Sequence, residues 1–510
     1  MDASGLAATR GALHVAIDLG AGSGRALVGG IGAAGLHLSE VHRFHYAPRR
    51  VGGRLRWDAE GLVEGLRASL RHACDAARGA GAPLASIGVD SWGVDYALVD
   101  AAGRLVEEPV CYRDERTNGA MDQVFAIVPR REIFEHTGIQ FHPFNTLYQL
   151  WAHARAGVPE RAAHLLLIPD FCHHLLCGSL MSERTNASTT QLLEVRTGRW
   201  DDELFGRLGL PRRLMPEIVA AGTVIGRLRP ELRPELGIGE MTVVAPGTHD
   251  TASAVAGTPI APGWAYVSSG TWSLVGVERD EPLLSDAAAG AALTNEAGVF
   301  GSVRLLTNVM GLWLLESCRR EWEAEGRPQD LEPLLAGVAR IEGPAGVVDP
   351  DDRRFFAPVS MVHELRSALK DTGQQDSGDP VLLTKVILDS LALRYAAVVS
   401  TIERLTGQPI PGIHIVGGGS LNAYLNQATA DASGRPVLAG PVEATAIGNL
   451  LVQAMAAGSV GSIGEGRRLV AASFKPARFE PRNRDRWAHA AWQHRQIAPR
   501  EDEKSPRDPR

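Results

Sequence analysis

The chain has 510 residues, of which 45% are apolar and 22% charged, a composition typical of a globular protein with more than one hydrophobic core. Lys and Arg number 52 and Asp and Glu number 59, and the resulting net charge of −7 disfavours sequence-independent nucleic-acid binding. No apolar run approaches the roughly 20 residues of a membrane span, and the N-terminus shows no export signal. The five cysteines include no CxxC pair, which favours reduced thiols and a cytoplasmic location.

The first predicted elements are an antiparallel meander and a helix. An apolar run at His14–Leu19 leads through a glycine turn into a second run that ends at Ile31, and an alternating run follows at Leu36–Tyr46. Asp58 is placed to cap a helix that runs to about Ala80. The chain therefore opens with strands joined by short turns.

Strands and helices alternate through the rest of the first half. A buried strand is predicted at Ser86–Asp90 and a hairpin at Tyr96–Val110, and helical patterns follow near Asn145–Ala156 and Arg161–Cys177. Around Gly239–Ala245 the chain changes domain. Helical segments that cover strands indicate an α/β fold.

The second half opens with a unit similar to the first. A strand at Trp264–Ser269, a turn at Gly270–Thr271 and a strand at Trp272–Val277 form a weak internal repeat of the opening strand, turn and strand. A later strand at Gly412–Val416 ends in Gly417–Gly419. Helices are predicted from about 421 to 432 and from about 443 to 457, with a short strand at 436–438 between them.

Several familiar catalytic motifs are absent from the sequence. There is no Gly-Lys dipeptide for a Walker A loop, no GxSxG and no HExxH. A literal GxGxxG at Gly30, Gly32 and Gly35 lies between two strand-like runs rather than at a helix start, which excludes a Rossmann fingerprint. Because the chain has only four lysines, a bound phosphate is expected to be held by backbone amides, arginine or a metal ion.

Two turns of small residues could bind phosphate. At Asp18–Arg25 (DLGAGSGR) a carboxylate ends a buried strand, and the turn after it exposes N–H groups that can cradle phosphate oxygens while Asp18 holds Mg²⁺ through water. Ser268–Ser273 (SSGTWS) is a second such turn, and Gly417–Gly419 allows a backbone to approach a flat ligand closely. A plain glycine turn is the alternative interpretation of each segment.

A histidine, an aspartate and a threonine follow one another at a predicted helix start. In His249–Thr251, Asp250 is placed to accept a proton in a cleft. Asp is also a common N-cap residue, so a purely structural role for Asp250 stays open.

Two other segments carry polar side chains of uncertain role. Asp90–Asp95 (DSWGVD) combines carboxylates, an aromatic ring and a glycine in a way that suits the hydroxyls and apolar face of a sugar, or it merely ends a strand. Asn308 precedes a helix predicted from Met310, and its role could be only that of a cap.

The conjunction of these segments resembles the FGGY carbohydrate kinases of the actin-like ATPase superfamily. The resemblance runs from about Val15 to about Ala456, nearly the whole chain. The matching stretches are DLGAGSGR, SIGVDSWGVDYALVD, YRDERTNG, GIQFHPFNTLYQL, HDTASAV, YVSSGTWSLVG, TNEAG, NVMGLWLL, HIVGGGSLNAYLNQ and GPVEATAIGN. Their order and number make the match specific.

The resemblance implies an α/β fold of the two-domain actin-like (ribonuclease H-like) ATPase type with a central cleft. Residues 1–245 would bind sugar and phosphate, residues 246–497 would bind nucleotide and supply the catalytic Asp, and 498–510 would be a polar tail. The implied reaction transfers the γ-phosphate of ATP to the 1-hydroxyl of L-rhamnulose with Mg²⁺. The implied partners are the sugar and ATP, without nucleic acid or membrane, and the chain is expected to be a monomer or small homo-oligomer in the cytoplasm.

The resemblance also implies roles for individual residues. Asp250 would be the catalytic base and Asp18 the carboxylate of the Mg²⁺ site. The implied sugar contacts are Gly93, His249, Asp250, Thr251 and Asn308. The implied ATP contacts are Ala21, Gly22, Ser23, Gly24, Arg25, Thr271 and Gly418. At Glu316 the family usually has Gln near the nucleotide, so no role is carried over to that position.

Two alternative functions remain open from the sequence. A kinase for another ketose, such as L-fuculose, would share the same phosphate-binding turns. An actin-like ATPase that acts as a sugar sensor or a chaperone is the alternative from another class. A repressor would need a DNA-binding helix pair before the first strand at Val15, and a chaperone would need a larger C-terminal module.

Overall fold

The computed structural model of the protein describes residues 6, 11–32, 35–356 and 358–497. The predicted polar tail at 498–510 lies outside the described residues, as do nine of the first ten residues. In the described part of the chain, no helix combines the length and the hydropathy needed to cross a membrane.

The described residues form strands, α-helices and short 3₁₀ turns. The strands are β1 (Leu13–Leu19), β2 (Ser23–Gly32), β3 (Gly35–His45), β4 (Arg49–Val51), β5 (Arg54–Arg56), β6 (Leu84–Ser91), β7 (Tyr96–Val99), β8 (Leu105–Glu107), β9 (His164–Leu167), β10 (Met181–Glu183), β11 (Leu193–Glu194), β12 (Arg199–Trp200), β13 (Glu217–Val219), β14 (Val224–Arg227), β15 (Thr242–Val244), β16 (Ala265–Ser269), β17 (Trp272–Arg279), β18 (Thr294–Ala297), β19 (Val303–Met310), β20 (Ile413–Val416), β21 (Val437–Ala439) and β22 (Ala477–Phe479). The α-helices are α1 (Ala59–Ala80), α2 (Ala120–Phe125), α3 (Arg130–Thr137), α4 (Thr146–Ala156), α5 (Ile168–Cys177), α6 (Arg184–Ser188), α7 (Asp202–Leu208), α8 (Arg233–Leu236), α9 (Asp250–Ala256), α10 (Asp286–Gly290), α11 (Trp313–Ala324), α12 (Leu331–Val338), α13 (Met361–Asp371), α14 (Pro380–Thr406), α15 (Ala423–Ser433), α16 (Ala444–Ala456), α17 (Ile463–Ser473) and α18 (Arg484–Ile497). The 3₁₀ turns are Glu115–Thr117, Arg212–Leu214, Pro230–Leu232, Val299–Gly301, Arg353–Phe355 and Gly418–Leu421.

Two mixed sheets carry the same strand plan. The first has the order β14-β15-β6-β1-β2-β3 and the second the order β18-β19-β17-β16-β20-β21-β22. In each, an antiparallel hairpin (β1–β2 or β16–β17) pairs with a third antiparallel strand on one side and two successive parallel strands on the other. The weak internal repeat predicted from the sequence is therefore confirmed as a duplicated sheet unit.

The strand register brings charged residues together at one edge of the first sheet. In the antiparallel β1–β2 pair, Asp18 lies opposite Arg25, and in the parallel β1–β6 pair it lies beside Asp90. Parallel neighbours end at the same edge, so two carboxylates and the turn after β1 share that edge.

Two helices cross where the two sheet units meet. Helix α16 follows β21 of the second sheet, yet it packs against β1 and β6 of the first. It crosses α9 in backbone contact, since a Cβ on Gly448 would lie 1.8 Å from the Ser253 carbonyl oxygen and one on Gly257 would lie 2.1 Å from that of Ala444. Only glycine permits this approach.

Three large hydrophobic cores give the sheet units rigid support. One packs α1 against the first sheet around Trp57, and one packs α14 against the second sheet around Trp322. A third lies between the three-stranded sheet β8-β7-β9 and the helices of residues 96–215, around Trp151. The cores lie largely within their own halves of the chain, but Phe134 and the partly buried Phe141 of the first half pack against the core of the second sheet.

Most elements predicted from the sequence are present, and two expectations are wrong. The meander, the Asp58 cap of α1 and the hairpin at β7–β8 are confirmed. The helix predicted over Arg161–Cys177 is wrong in its first part, because β9 pairs with β7 before α5 begins. The cap role for Asn308 is also wrong, since Asn308 lies within β19 and α11 begins only at Trp313.

Candidate active site

A cleft of about 460 Å³ is lined by residues of both halves of the chain. It brings together all the predicted site residues except Gly22 and Gly24. Those in its wall are Asp18, Ala21, Ser23, Arg25, Gly93, His249, Asp250, Thr251, Thr271, Asn308 and Gly418. Residues more than 400 positions apart in sequence thus line one cleft.

The turn between β1 and β2 is built around a chain of ion pairs. Arg25 donates from Nη2 to Oδ2 of Asp18 at 2.6 Å. Its other terminal nitrogen, Nη1, lies 2.5 Å from Oε2 of Glu443, which directly precedes α16. The turn is thereby tied to a helix from the far end of the chain. A phosphate that reaches Arg25 would compete with these two carboxylates.

The glycines of this turn differ in their surroundings. Gly22 is exposed, and a Cβ there would meet nothing within 4 Å. Gly24 is buried, and a Cβ there would lie 2.4 Å from Cζ of Phe44. Packing against Phe44 therefore explains Gly24 without a ligand, and an ATP contact of either glycine stays a prediction.

The turn between β16 and β17 contributes Thr271 to the wall of the cleft. The carbonyl oxygens of Gly270 and Thr271 accept the N–H groups of Leu312 and Gly311 at 3.0 and 3.1 Å, just before α11. These bonds anchor the turn from behind, while Thr271 itself is exposed to the cleft.

Of the three glycines after β20, two are closely packed against Ser269 and one is open to the cleft. Gly417 has φ of +80°, and a Cβ there would lie 2.8 Å from the carbonyl oxygen of Ser269. A Cβ on Gly419 would lie 2.0 Å from Oγ of Ser269. Gly418 has nothing within 4 Å of the same position and lines the cleft, so its backbone is open to a ligand.

The histidine–aspartate–threonine segment begins α9 at the floor of the cleft. Glu183 accepts from both N and Oγ1 of Thr248 at 2.9 Å, which fixes the chain before the helix. His249 occupies the N-cap position, and Asp250 is the first helical residue. Asp250 accepts from the backbone N of Thr251 at 2.6 Å and from Oγ1 of Thr251 at 3.1 Å. The interpretation of Asp250 as only an N-cap residue is therefore wrong, because His249 occupies the N-cap position and Asp250 follows it.

Burial and neighbouring charges act on the carboxylate of Asp250 in the cleft and on that of Asp90, which is buried beside Asp18. A third of the Asp250 side chain is open to the cleft, but burial raises its pKa, the imidazole of His249 lowers it, and the Asp18 carboxylate raises it further, so that it lies above its ordinary value. Burial and Asp18 also hold the pKa of Asp90 well above its ordinary range. Asp90 accepts from Nδ2 of Asn449 at 2.5 Å through one oxygen, and Oδ1 has no hydrogen-bond partner within the described chain.

Strained backbone follows Gly93 in the cleft wall. Val94 has φ of +71°, a conformation that β-branched residues rarely adopt. Its carbonyl oxygen accepts from Oγ1 of Thr146 at 2.7 Å and from Nε2 of Gln149 at 3.2 Å. Helix α4 thus holds the strained segment in place, and such strain is typical of functional sites.

Asp95 does not face the cleft as a sugar ligand would. Its carboxylate is buried and accepts from the indole N–H groups of Trp57 at 2.6 Å and Trp92 at 3.1 Å. Gln149 and the backbone N of Tyr112 complete its bonds at 2.9 and 3.1 Å. Of the DSWGVD segment, Trp92, Gly93 and Val94 line the cleft, and Asp95 anchors Trp92.

The cleft wall also contains residues that motif reasoning did not assign. Nε2 of His142 is buried without a hydrogen-bond partner within the described chain, and its ring stacks on Phe144 with centroids 4.6 Å apart. Gln140 Oε1 lies 3.4 Å from both nitrogens of Asn308. Glu296 faces His249 from β18. The sequence stretches GIQFHPFNTLYQL and TNEAG contain these residues, but nothing in the local sequence pattern indicated that they line the cleft.

Glu316 lies apart from the cleft. Its carboxylate is about half exposed and lies 2.9 Å from Nη1 of Arg319 on the same helix. It is absent from the cleft wall, and no nucleotide contact is assigned to it.

The duplicated sheet unit, with a small-residue turn in each half and a cleft between them, defines the two-domain actin-like ATPase fold. Solved structures of the same fold include a gluconate kinase from Lactobacillus acidophilus (TM-score 0.78, 14% identity, covering 95% of this chain and 96% of that chain). They also include a glycerol kinase with ADP from Plasmodium falciparum (TM-score 0.76, 15% identity, 96% and 98%). The fold class predicted from the sequence is confirmed.

Residues 13–257 match the FGGY family of carbohydrate kinases, N-terminal domain, and residues 265–457 match its C-terminal domain. The curated rhamnulokinase of Pectobacterium carotovorum subsp. carotovorum (strain PC1) is 44% identical over 92% of this chain and 93% of its own. That of Bacillus subtilis (strain 168) is 37% identical over 93% and 96%.

The chain belongs to the FGGY family of carbohydrate kinases. It is a sugar kinase that takes a sugar and ATP as substrates, and these comparisons favour that class over a sugar sensor or a chaperone. The division of the chain at residue 245 stays a prediction.

Proposed function

We propose that this protein transfers the γ-phosphate of ATP to the 1-hydroxyl of L-rhamnulose, giving L-rhamnulose 1-phosphate and ADP. The position of Asp250 carries the proposal. Its carboxylate lines one cleft together with Gly93, Asn308 and the two turns that contain Arg25 and Thr271. The identity with several rhamnulokinases over nine-tenths of the chain supports the choice of sugar.

Asp250 would act as the base in this reaction. A sugar hydroxyl is a weak nucleophile, and its proton must leave as the bond to phosphorus forms. The raised pKa of Asp250 makes its carboxylate a better proton acceptor than an exposed one. His249 and Asn308 would hold sugar oxygens so that the 1-hydroxyl stays beside Asp250.

The two turns would hold the phosphates of ATP. Phosphoryl transfer needs alignment and charge neutralisation more than covalent chemistry. Around the cleft, the turn from Ala21 to Arg25 would supply backbone amides, Thr271 its hydroxyl and Gly418 its open backbone. An apolar groove lined in part by Leu335, Leu421 and Tyr424 continues from the Gly418–Leu421 turn and would take the purine ring.

The carboxylates at the end of β1 and β6 fit a magnesium ion. Mg²⁺ prefers oxygen ligands and keeps several waters, so one or two carboxylates suffice to hold it. Asp18 faces the cleft, and the unpartnered Oδ1 of Asp90 lies on the adjacent strand. When bound, Mg²⁺ would neutralise charge on the β- and γ-phosphates. Asp18 would hold the water shell of the Mg²⁺, and the guanidinium of Arg25 would exchange its ion pair with Asp18 for one with a phosphate oxygen.

Replacing Asp18 tests this magnesium site. In the wild type we expect Mg²⁺ to tighten ATP binding measured by calorimetry, and in Asp18→Asn we expect most of that gain to be lost. Glu443→Gln is the matched control, since it removes the other carboxylate on Arg25 but lies outside the cleft wall. An undiminished magnesium effect in Asp18→Asn would remove Asp18 from the site.

An ADP-release assay across L-rhamnulose, L-fuculose, L-ribulose and D-xylulose tests the substrate. We expect the highest kcat/KM for L-rhamnulose. A tenfold preference for L-fuculose or another ketose would overturn the choice of sugar and leave the kinase class intact. The cytoplasm is the compartment in which we propose that this reaction takes place.

A further inference from the structure

A buried arginine lies behind the histidine of the active-site segment. Arg304 on β19 is fully buried, and it lies directly opposite Glu296 in the antiparallel β18–β19 register. Its Nη2 is 3.0 Å from Oε2 of Glu296, and its Nε donates to the carbonyl oxygen of Ala297 at 3.1 Å. Burial is the largest single influence on the pKa of Glu296 and works to raise it, but Arg304 together with the imidazoles of His249 and His142 holds that pKa below its ordinary value.

The same guanidinium reaches the imidazole. Nη2 of Arg304 is 3.0 Å from Nδ1 of His249, whereas the nearest Glu296 oxygen is 3.3 Å from Nδ1. A guanidinium has donors and no acceptor, so this hydrogen bond requires a lone pair on Nδ1. The ring proton must then sit on Nε2, which lies 3.5 Å from Oδ1 of Asp250 on the cleft side.

The buried pair is hard to explain by stability alone. Removing two charges from water costs so much that apolar replacements of buried ion pairs are often neutral or stabilising. A pair retained in contact with a site residue is therefore a candidate for a positional role.

We propose that Arg304 is a positioning residue that fixes His249 in the Nε2–H tautomer, so that His249 presents a hydrogen-bond donor to a sugar oxygen beside Asp250. Glu296 keeps the guanidinium in place by facing it across the strand pair. This role rests on the proposed function for its sugar contact, while the tautomer itself is a property of the sugar-free protein.

The groups around His249 make the tautomer switchable. Asp250 faces Nε2 from α9, Glu296 and Arg304 face Nδ1 from β18 and β19, and Thr185 accepts from the backbone N of His249 at 3.2 Å. Without the guanidinium, Glu296 is the remaining group near Nδ1, and its carboxylate accepts a hydrogen bond from Nδ1–H. Nε2 then offers a lone pair, which repels the oxygen of a sugar carbonyl.

Nitrogen NMR of histidine-labelled full-length protein tests the tautomer, with the His249 signals assigned by their loss in His249→Gln. We expect the Nε2–H form in the wild type and the Nδ1–H form in Arg304→Met. The KM for L-rhamnulose should rise about tenfold in Arg304→Met, the loss of one hydrogen bond, with the KM for ATP unchanged. Arg435→Met, which breaks a part-buried pair with Glu403 away from the cleft, should leave both readouts at wild-type values.

The double variant Glu296→Gln/Arg304→Met removes both charges together. It replaces Arg304→Met as the test if that single variant does not fold. In it we expect both tautomers and a raised KM for the sugar. An Nδ1–H form in the wild type, or a pure Nε2–H form in either variant, would overturn the proposal. Failure of L-rhamnulose in the ketose assay would overturn the proposed substrate instead, because the NMR measurement uses no sugar.

Discussion

At the residue scale, Asp18 and Asp250 line the cleft and a third carboxylate, that of Asp90, is buried beside Asp18, and each of the three has a different set of partners. Asp18 faces Arg25, Asp90 accepts from Asn449, and Asp250 stands beside the imidazole of His249. Because like charges in a partly dry cleft disfavour one another's ionisation, burial and mutual repulsion raise the pKa of Asp90 and Asp250. Entry of a cation or of the substrates' hydrogen bonds would relieve that repulsion.

Replacing Asp250 by Asn is the direct test of its role as base. Asn keeps the shape and still bonds a hydroxyl, but it cannot accept the proton, so we expect kcat to fall by roughly 10²–10⁴. Sugar and ATP binding, measured by calorimetry, should change much less. In the wild type, the raised pKa places the acidic loss of kcat above the pH at which an exposed Asp would protonate. A variant that keeps more than a tenth of wild-type kcat would contradict the catalytic assignment.

At the scale of elements, the crossing of α9 and α16 joins the two sheet units. Helix α9 carries Asp250 at its first residue, and α16 carries Asn449, which reaches Asp90 on the other sheet. The helices touch through backbone at Gly257 and Gly448. A displacement of α16 would therefore move the support of Asp90 and the start of α9 together.

Replacing two helical glycines by alanine distinguishes the effect of close packing on stability from the effect of helix propensity. Gly448→Ala would place a methyl group 1.8 Å from the Ser253 carbonyl oxygen, and we expect the overpacking to cost about 1–3 kcal/mol and to lower kcat. Gly79→Ala in α1 is the control, because a Cβ there meets nothing within 4 Å, and it should stabilise by about 0.5–1 kcal/mol. Urea unfolding measures both. A Gly448→Ala protein as stable as the wild type would show that the helices can move apart.

At the scale of the whole molecule, buried histidines link stability to pH. Burial lowers the pKa of His14, His142 and His414 to about 4 and that of His173 to about 3. These side chains stay neutral in the folded chain and take up protons only on unfolding as the pH falls below about 6.5. Each of these histidines therefore lowers the free energy of unfolding as the pH falls from about 6.5 towards the pKa that the histidine has in the folded chain. Asp389, whose pKa burial raises to about 6, acts in the opposite sense.

His173→Gln isolates one of these contributions. Nε2 of His173 accepts from the backbone N of Val89 at 3.0 Å, and the Gln oxygen can replace that acceptor without titrating. Between pH 6.5 and 4.5 we expect the free energy of unfolding to fall less steeply than in the wild type, by up to about 1.4 kcal/mol per pH unit. Exposed His45→Gln is the control and should keep the wild-type slope. Identical slopes in all three proteins would show that His173 titrates normally.

Local sequence was enough to predict what depends on neighbouring residues. The Asp18 turn, the Asp58 cap, the β7–β8 hairpin and the helix start at His249 follow from turn chemistry, capping and apolar periodicity, which act over a few positions. The ordered set of motifs also identified the family and the fold class.

Only the tertiary structure decided which side chains meet. The pairing of β9 with β7 replaced a predicted helix, and the β18–β19 register set Arg304 against Glu296 and behind His249. Helix α16 packs on a sheet more than 350 residues earlier in the chain, where Asn449 reaches Asp90. Propensity and periodicity carry no information on such distant contacts, because burial, charge pairing and backbone approach are satisfied in three dimensions only after the whole chain has packed.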